Sequence, residues 1–467
     1  MQNMTLSDLV LSVGGECLSG KTNLPIQNVE IDSRKIKPGD LFVALVGEQV
    51  DGHDFILQAR KKGAVAILVQ KKIDEVNDSD IAFVFVEDTK KALQALAQYY
   101  RKKFRFPLLA VTGSVGKTST KEMLAHALSS SFLVAKSPGN QNSQIGLPLS
   151  LCSFNLDAEI AVLEMGMSEV GELVKLSYLV QPDLSIITNI GLAHVGQVGS
   201  QQAICREKMS IIEGMPKGGR LLLNGDDPFL QKEQKNQEKF REKQISVFSY
   251  GIDFPCDYRA ENIEEFYTDR EYTRFRFISS SQQADVCIPL VGKHHVYQAM
   301  ATLATVCLCE ADLKGAIERL AEYEGVAGRQ KKIEKRGITF LDDTYNASPE
   351  SMEAGLELLL KTKIKGKKIA VLADMKELGE KSKVYHYQFG VRLAKTDVSC
   401  LFVFGEDAKE IAKAVREHNK KIAVQECDSL VELLGELRTK ATLGDCVWLK
   451  GSHSMGLHKV LENILAE

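Results

Sequence analysis

The sequence predicts an α/β protein built from three successive units, and three observations carry that reading. Short apolar runs alternate with helical patterns along most of the 467 residues, the pattern of a largely parallel sheet with crossover helices. The length exceeds what a single hydrophobic core organises. One run, Leu108 to Val111, leads through Gly113 and Gly116 into Lys117-Thr118-Ser119 and a helical pattern of Met123, Leu124, Ala127 and Leu128. A strand, a glycine turn and a helix N-terminus make an anion site, because backbone N–H groups and the helix dipole converge on negative charge. The units are expected at residues 1–105, 106–325 and 326–467.

Composition narrows the class. Apolar residues make up 44% and charged residues 26%, as in a globular protein in water. The net charge of −3 gives no electrostatic footprint for nucleic acid, so no nucleic-acid partner is expected. Ten cysteines lack paired Cys-x-x-Cys spacing, Cys307-Leu308-Cys309 being the nearest approach, which argues against a zinc ribbon and a disulfide scaffold. No apolar run nears the ~18 residues of a membrane span. The first residues show no basic region followed by an apolar core. A cytoplasmic protein without stable membrane insertion is expected.

In the first unit, Ile31-Asp32-Ser33-Arg34 and Lys37-Pro38-Gly39-Asp40 precede a strand from Leu41 to Leu45. Asp51-Gly52-His53 reads as a turn, Phe55 to Lys62 as a short helix, and Ala64 to Val69 as a strand. Thr89 to Lys103 has helical spacing and ends in basic residues, as a helix C-terminus prefers. Ser33 and Arg34 could take a phosphorylated ligand, since a guanidinium forks onto phosphate oxygens; taken alone, Asp-Ser-Arg is better explained as a surface turn. Phe106-Pro107 reads as a hinge.

In the central unit, the glycine turn presents Lys117 to the outer phosphates and Thr118 to a divalent cation. A full phosphate-loop pattern would carry glycine at Val111, so this is a shortened variant. The run Ile160 to Leu163 ends at Glu164-Met165-Gly166, and Leu184 to Thr188 ends at Asn189-Ile190-Gly191-Leu192-Ala193-His194. Ligands of open α/β sheets sit beyond the carboxyl ends of strands. A carboxylate, an imidazole and a hydroxyl converging there suit a divalent metal with phosphate, although each alone could be a satisfied polar group. Gly139 to Pro148, amides bracketed by glycines, suits a loop that hydrogen-bonds a polar ligand, or an ordinary turn. Leu221 to Leu223 is a strand ending at Asn224-Gly225-Asp226-Asp227, and Gln231 to Gln244 a solvated helix. Tyr258 to Ile278 suggests antiparallel strands, and Ala299 to Leu308 a helix after Gly292-Lys293-His294-His295.

Gly325 to Gln330 reads as a second hinge. The third unit then offers strands at Ile338 to Leu341, Lys368 to Leu372, Leu401 to Phe404 and Val447 to Leu449. The first ends at Asp342-Asp343-Thr344-Tyr345-Asn346-Ala347-Ser348-Pro349, with a helix from about Glu350.

These segments, in this order, resemble the Mur ligase family, ATP-dependent amide-forming enzymes of peptidoglycan precursor synthesis. The resemblance spans essentially the whole chain. It rests on Thr112 to Thr118, Glu164-Met165-Gly166, Thr188-Asn189-Ile190-Gly191 with Ala193-His194, and Asn224-Gly225-Asp226-Asp227. Gly139-Asn140 with Asn142 and Ile145-Gly146, the Asp342 to Pro349 segment with Ser351-Met352, and Asp374-Met375 with Glu377-Leu378-Gly379 are similar to the branch that joins D-alanyl-D-alanine to UDP-N-acetylmuramoyl-tripeptide. Asp32-Ser33-Arg34, Pro38-Gly39-Asp40 and Asp51-Gly52-His53 resemble its uridine-nucleotide domain.

The resemblance implies a central sheet of P-loop type, flanked by a small N-terminal α/β domain holding the UDP substrate. A Rossmann-like C-terminal α/β domain would close over ATP and bind the dipeptide. It assigns ATP to Gly113, Ser114, Val115, Gly116, Lys117, Thr118, Ser119, His295, Arg329 and Asp343, and Mg²⁺ to Thr118, Glu164, His194 and a carbamylated Lys208. Catalysis falls to Lys117, His194 and Lys208, UDP-substrate binding to Ser33, Arg34, Asn140 and Asn142, and dipeptide binding or closure to Tyr345, Asn346 and Ser348. Lys208 also reads as an ordinary helix-face lysine in the Arg206-Glu207-Lys208 cluster. The family usually carries Asn at His295 and Gln298, a second Asn at Ser143 and an acidic residue at Ser210. The implied reaction activates a carboxylate as an acyl phosphate, and a monomer is expected. A folylpolyglutamate-type ligase is a rival, opposed by the first unit and the Asp342 to Ala347 segment; a nucleotide switch that ligates nothing is another.

Overall fold

The computed structural model describes residues 1–20, 23–71, 81–267 and 271–466. They form three sheets in chain order. The first has five strands in the order Glu16–Ser19, Ala82–Phe85, Ala66–Val69, Leu41–Val43 and Val29–Glu30, and only Glu16–Ser19 runs antiparallel to its neighbour. Thr89–Arg101 packs its apolar stripe of Leu93, Leu96, Ala97 and Tyr100 inward, and Asp88 caps it through the N–H groups of Lys90 and Lys91.

The second sheet has nine strands. Leu108–Thr112 lies in its parallel part between Ile160–Glu164 and Leu184–Ile187, and all three are buried at every position. Continuous burial explains why these strands read as unbroken apolar runs rather than alternations. Arg220–Asn224 and Ser246–Gly251 continue the parallel part, and the antiparallel strands Tyr258–Tyr267, Glu271–Ile278 and Gln283–Ile288 close it. The third sheet has six strands, parallel except where Lys331–Lys335 pairs with Ile338–Asp343.

Two expectations need correction. The charged stretch read as one helix is two, Pro228–Gln234 and Gln237–Lys243, and Phe240 of the second is buried in the core. The hinge expected at Phe106-Pro107 is a packed joint. Phe106 is buried and stacks on Phe104 with ring centroids 4.9 Å apart, while Tyr100 and Phe154 complete the cluster. One apolar core therefore runs from Met4 of the first unit to Ile245 of the second. A proline marks a stiff joint here because aromatic burial on both sides outweighs any freedom of the intervening chain.

The third sheet has its own cores, above and below its strands. Its carboxyl strand ends face those of the second sheet, and polar side chains fill the space between. Gly325 and Gly328, with φ of 78° and 74°, turn the connecting chain. No helix among the described residues is long and apolar enough to cross a membrane.

Candidate active site

A cavity of about 460 Å³ opens between the second and third sheets. The phosphate loop forms its floor. Gly113 has φ of 147°, and a Cβ there would lie 1.9 Å from Thr188 Oγ1, so no other residue fits. Gly116, at φ 84°, precedes helix Lys117–Leu128 and leaves its first N–H groups without a side-chain cap. The loop is braced from behind. Asn189 accepts from the Val115 N–H and donates to its carbonyl, both at 2.9 Å, and Ser114 Oγ accepts from the Gly191 N–H at 2.8 Å.

Glu164, at the end of its strand, accepts from Thr118 Oγ1 at 2.5 Å and from Asn142 Nδ2 at 2.6 Å. The carboxylate, the loop hydroxyl and the amide-rich segment thus meet at one point. Lys121, buried one helical turn beyond Lys117, donates to the carbonyls of Ser137 and Gly139 at 2.7 and 2.8 Å and pairs with Glu122 at 2.8 Å. It fixes the start of that amide-rich segment.

The Lys117 ammonium reaches only main-chain oxygens of its own loop, Gly113 at 2.9 Å and Ser114 at 3.3 Å. Burial pushes it below the usual lysine range, opposed by Glu164. From the third unit, Arg329 donates to Thr118 Oγ1 at 2.7 Å and lies over the Tyr345 ring, 4.1 Å from its centroid. Its buried Nε has no hydrogen-bond partner. Asp343 is paired with Lys450 at 2.8 Å, and Lys450 also donates to the Asn346 carbonyl at 3.0 Å. Burial raises the Asp343 carboxyl and lowers the Lys450 ammonium, each opposed by the partner's charge.

His295 and Gln298 sit side by side on helix Lys293–Leu308, with His295 Nδ1 3.1 Å from Gln298 Oε1. Burial pushes His295 down to about 4. His294 lies against it at a tilt, ring centroids 4.0 Å apart, and is driven well below the usual histidine range by burial and by that neighbour. Both imidazoles are therefore neutral near pH 7 and can exchange hydrogen bonds with a neutral heterocycle.

Most of the expected site residues line this one cavity: Ser114 to Ser119, Asn140, Asn142, Glu164, His194, His295, Arg329, Asp343, Tyr345, Asn346 and Ser348. Four do not. Gly113 lies behind the loop. Lys208 is buried behind the wall, with its ammonium driven well below the lysine range by burial and then by Lys117. Ser33 is buried and donates to Gln58 Oε1 at 2.6 Å, and Arg34 is exposed and forked onto Asp32 with both bonds at 2.9 Å. Ser348 has a second task, since it caps helix Pro349–Lys361 in a reciprocal pair with Ser351. Asn224 and Asp227 are braces: Asn224 donates to the Thr188 carbonyl at 2.9 Å, and Asp227 accepts from the Ile190 N–H at 2.7 Å.

Three family models match in chain order: the Mur ligase family catalytic domain over residues 25–101, the Mur ligase middle domain over 111–306, and the Mur ligase glutamate ligase domain over 328–453. The chain belongs to the Mur ligase family. It is 34% identical over 442 residues to the UDP-N-acetylmuramoyl-tripeptide–D-alanyl-D-alanine ligase of Bacillus subtilis, covering 94% of this chain and 93% of that protein. Among solved structures it is similar to MurF from Acinetobacter baumannii, with a TM-score of 0.85, 29% identity and 99% of each chain covered. It is also similar to MurF from Thermotoga maritima in complex with ADP, with a TM-score of 0.81, 32% identity and coverage of 96% of this chain and 99% of that one.

In this Mur ligase the sequence reading missed three residues that build the site. Lys121 carries no motif of its own. Glu207, beside Lys208, accepts from the N–H groups of Gly171 and Leu173 at 2.9 and 3.1 Å and so fixes the start of helix Glu172–Val180. His386 accepts from the Met375 N–H at 2.9 Å and bonds the Ser382 carbonyl at 2.8 Å, holding the segment that carries Glu377. Helical spacing does point Lys121 to the face of buried Leu124, Ala125 and Leu128 rather than to water; that was the available signal.

Proposed function

We propose that this Mur ligase joins D-alanyl-D-alanine to UDP-N-acetylmuramoyl-tripeptide at the expense of ATP. The observation that carries the reading is the pairing of one cavity with two sets of groups. Phosphate-binding loop and carboxylate come from the second sheet, and Arg329, Tyr345 and Asn346 from the third. The near full-length likeness to ligases of that name in Bacillus subtilis and Escherichia coli supports the choice of substrates.

The terminal carboxylate of the tripeptide attacks the γ-phosphorus of ATP, and ADP leaves. The free amine of the dipeptide then attacks the acyl carbon of the resulting acyl phosphate. Inorganic phosphate departs and the amine loses its proton. Negative charge gathers on the transferring group, so preorganised donors supply most of the stabilisation. Lys117 is such a donor: it is half-buried and bonded to loop carbonyls that it can leave. Arg329 is the second, with a buried Nε that has no partner. His295 and Gln298 take the place of the family's adenine-side asparagines.

The donor set also fits a hard cation, because Glu164 and the Thr118 hydroxyl offer oxygen ligands. Thr118, Glu164 and His194 would hold Mg²⁺, and Lys208, carbamylated, would reach it from behind. Among the described residues no group of three or more His, Cys, Asp or Glu side chains is placed to hold a metal by itself. When bound, the cation neutralises phosphate oxygens. Burial favours the neutral amine of Lys208, the form that can react with CO₂. Residues 1–105 would hold the UDP group, 106–325 ATP, and 326–467 would close the site and receive the dipeptide. Closure excludes water, which would otherwise hydrolyse the acyl phosphate.

The test is mass spectrometry of products from ATP, D-alanyl-D-alanine and a mixture of lysine- and diaminopimelate-containing UDP-tripeptides, alongside phosphate release. The expected result is one pentapeptide product, with phosphate released only when all three substrates are present. Phosphate release without dipeptide, and no pentapeptide mass, would overturn the reading.

A further inference from the structure

The second and third units touch at a point that the proposed chemistry leaves unused. The segment from Lys376 to Gly379 follows strand Lys368–Ala373 of the third sheet and lies against the short helix Val195–Val198 of the second unit. Glu377 leads this contact. Its backbone takes φ of 69°, a conformation that non-glycine residues rarely adopt and that persists where the surroundings enforce it. Its carbonyl accepts from the Gly196 N–H at 3.0 Å. Its Oε2 lies 2.8 Å from His194 Nδ1. That nitrogen is buried and has no aligned hydrogen-bond acceptor, so the carboxylate is an ion-pair neighbour at this separation rather than a finished hydrogen bond.

Packing at the contact is tight. A Cβ on Gly196 would meet the Gly379 nitrogen at 2.6 Å and its Cα at 2.8 Å. Beside it, Glu350 Oε1 accepts from the Leu192 N–H at 2.7 Å. Both ends of the loop that carries His194 are thus held by the third unit, Leu192 by the Glu350 carboxylate and Gly196 by the Glu377 main-chain carbonyl. His194 itself sits at φ 65°, a backbone conformation that a non-glycine residue holds only where its surroundings enforce it.

We infer that Glu377 is the positioning residue for His194, so that the imidazole acquires its working orientation only when the third unit is docked. The physical logic is that of a carboxylate behind a functional histidine: a partner at one ring nitrogen fixes which way the other nitrogen faces. Here the partner belongs to a different unit from the histidine, and orientation becomes a report of closure. The inference rests on the ligase reading only for its kinetic consequence.

The test compares Glu377→Gln with wild type in two measurements. The first is the ring ¹³C–¹H signal of His194 in the protein without substrates, assigned with His194→Gln. The second is kcat and KM for each substrate. Glutamine keeps the Gly196 backbone bond and the side-chain length but loses the charge. The expected result is a shifted or broadened His194 signal, with kcat lowered about 10- to 100-fold, the range for removal of such a partner, and KM for the UDP substrate unchanged. Glu377→Asp should recover part of both, and it serves if the Gln variant is poorly folded. A His194 signal identical to wild type in both variants would overturn the inference, whatever the rates. So would a shifted signal with unchanged kcat in an active enzyme. The ring signal does not depend on turnover, so failure of the ligase reading would appear separately, as wild type without product.

Discussion

The two seams of this molecule are built from opposite materials. Between the first and second units, Tyr100, Phe104, Phe106 and Phe154 merge two cores into one. Between the second and third units, the polar contacts include Arg329 to Thr118, Glu377 to His194 and Gly196, and Glu350 to Leu192, arranged around a cavity, beside a smaller apolar contact of Val291, Leu192 and Val195 with the third unit's core. Dispersion and burial hold the first seam and are lost steeply on separation. Hydrogen bonds and ion pairs hold the second and can be exchanged for water at little net cost. The distribution of aromatic rings makes the first seam the stiffer of the two.

Each seam can be broken selectively. The largest effect belongs to the polar seam: Lys117→Ala should lower turnover on the order of 10³-fold or more, as loss of a preorganised electrostatic donor does. Its thermal unfolding should match wild type, because Lys117 bonds only loop carbonyls; near-normal turnover would remove it from the chemistry. At the apolar seam, Phe106→Ala should cost about 3 kcal/mol of stability, the lower end for a buried Phe. Denaturant unfolding measures that, and kcat of the folded fraction should hold. A Phe106→Ala protein with altered kcat and unchanged stability would mean that this joint moves during turnover.

Acid should act on the polar seam first. His294, His295 and His386 are buried and have folded pKa values below the usual histidine range. A depressed folded value means that their stabilisation is complete above the unfolded pKa and is lost as pH falls towards the folded one. For His295, at about 4, roughly 2 kcal/mol should be gone at pH 5. Unfolding midpoints at pH 7.5 and 5 should therefore differ, and His295→Asn should flatten the difference. The four rings of the apolar seam include no group that titrates in that window. The smallest effect concerns Arg34. It should weaken UDP-substrate binding about tenfold on replacement by Ala, through loss of a forked phosphate contact, and leave ATP binding unchanged, both by calorimetry. Equal weakening of both ligands would place the uridine site elsewhere.

What could be read from the chain alone follows from locality. The strand, glycines and helix start between Leu108 and Lys117 are neighbours in sequence, and Gly113 is demanded by a clash with the next strand end. The carboxyl ends at Glu164 and His194 were legible because parallel strands bring their ends together. The stiff joint at Phe106 was not, since it depends on Phe104 of the first unit meeting Phe154 of the second, and a proline before a strand also suits a hinge. Whether Asn224 and Asp227 brace the site or line it was not legible, because braces and ligands use the same side chains. The role of Lys121 depends on carbonyls across the sheet, and that of Glu377 on the docking of two units; no spacing rule encodes either.

The clamp of Asn189 on Val115 has a consequence for how a nucleotide arrives. One amide side chain bonds both the N–H and the C=O of a single residue, each at 2.9 Å, much as a neighbouring strand would. Freezing a loop residue costs roughly 1–2 kcal/mol of conformational entropy, and that cost falls on folding rather than on capture. Phosphate therefore meets a rigid receptor. Calorimetry of ADP binding should show little ordering of the chain, and Asn189→Ala should convert the same event into one that tightens the loop as it binds, with a more unfavourable entropy at similar enthalpy.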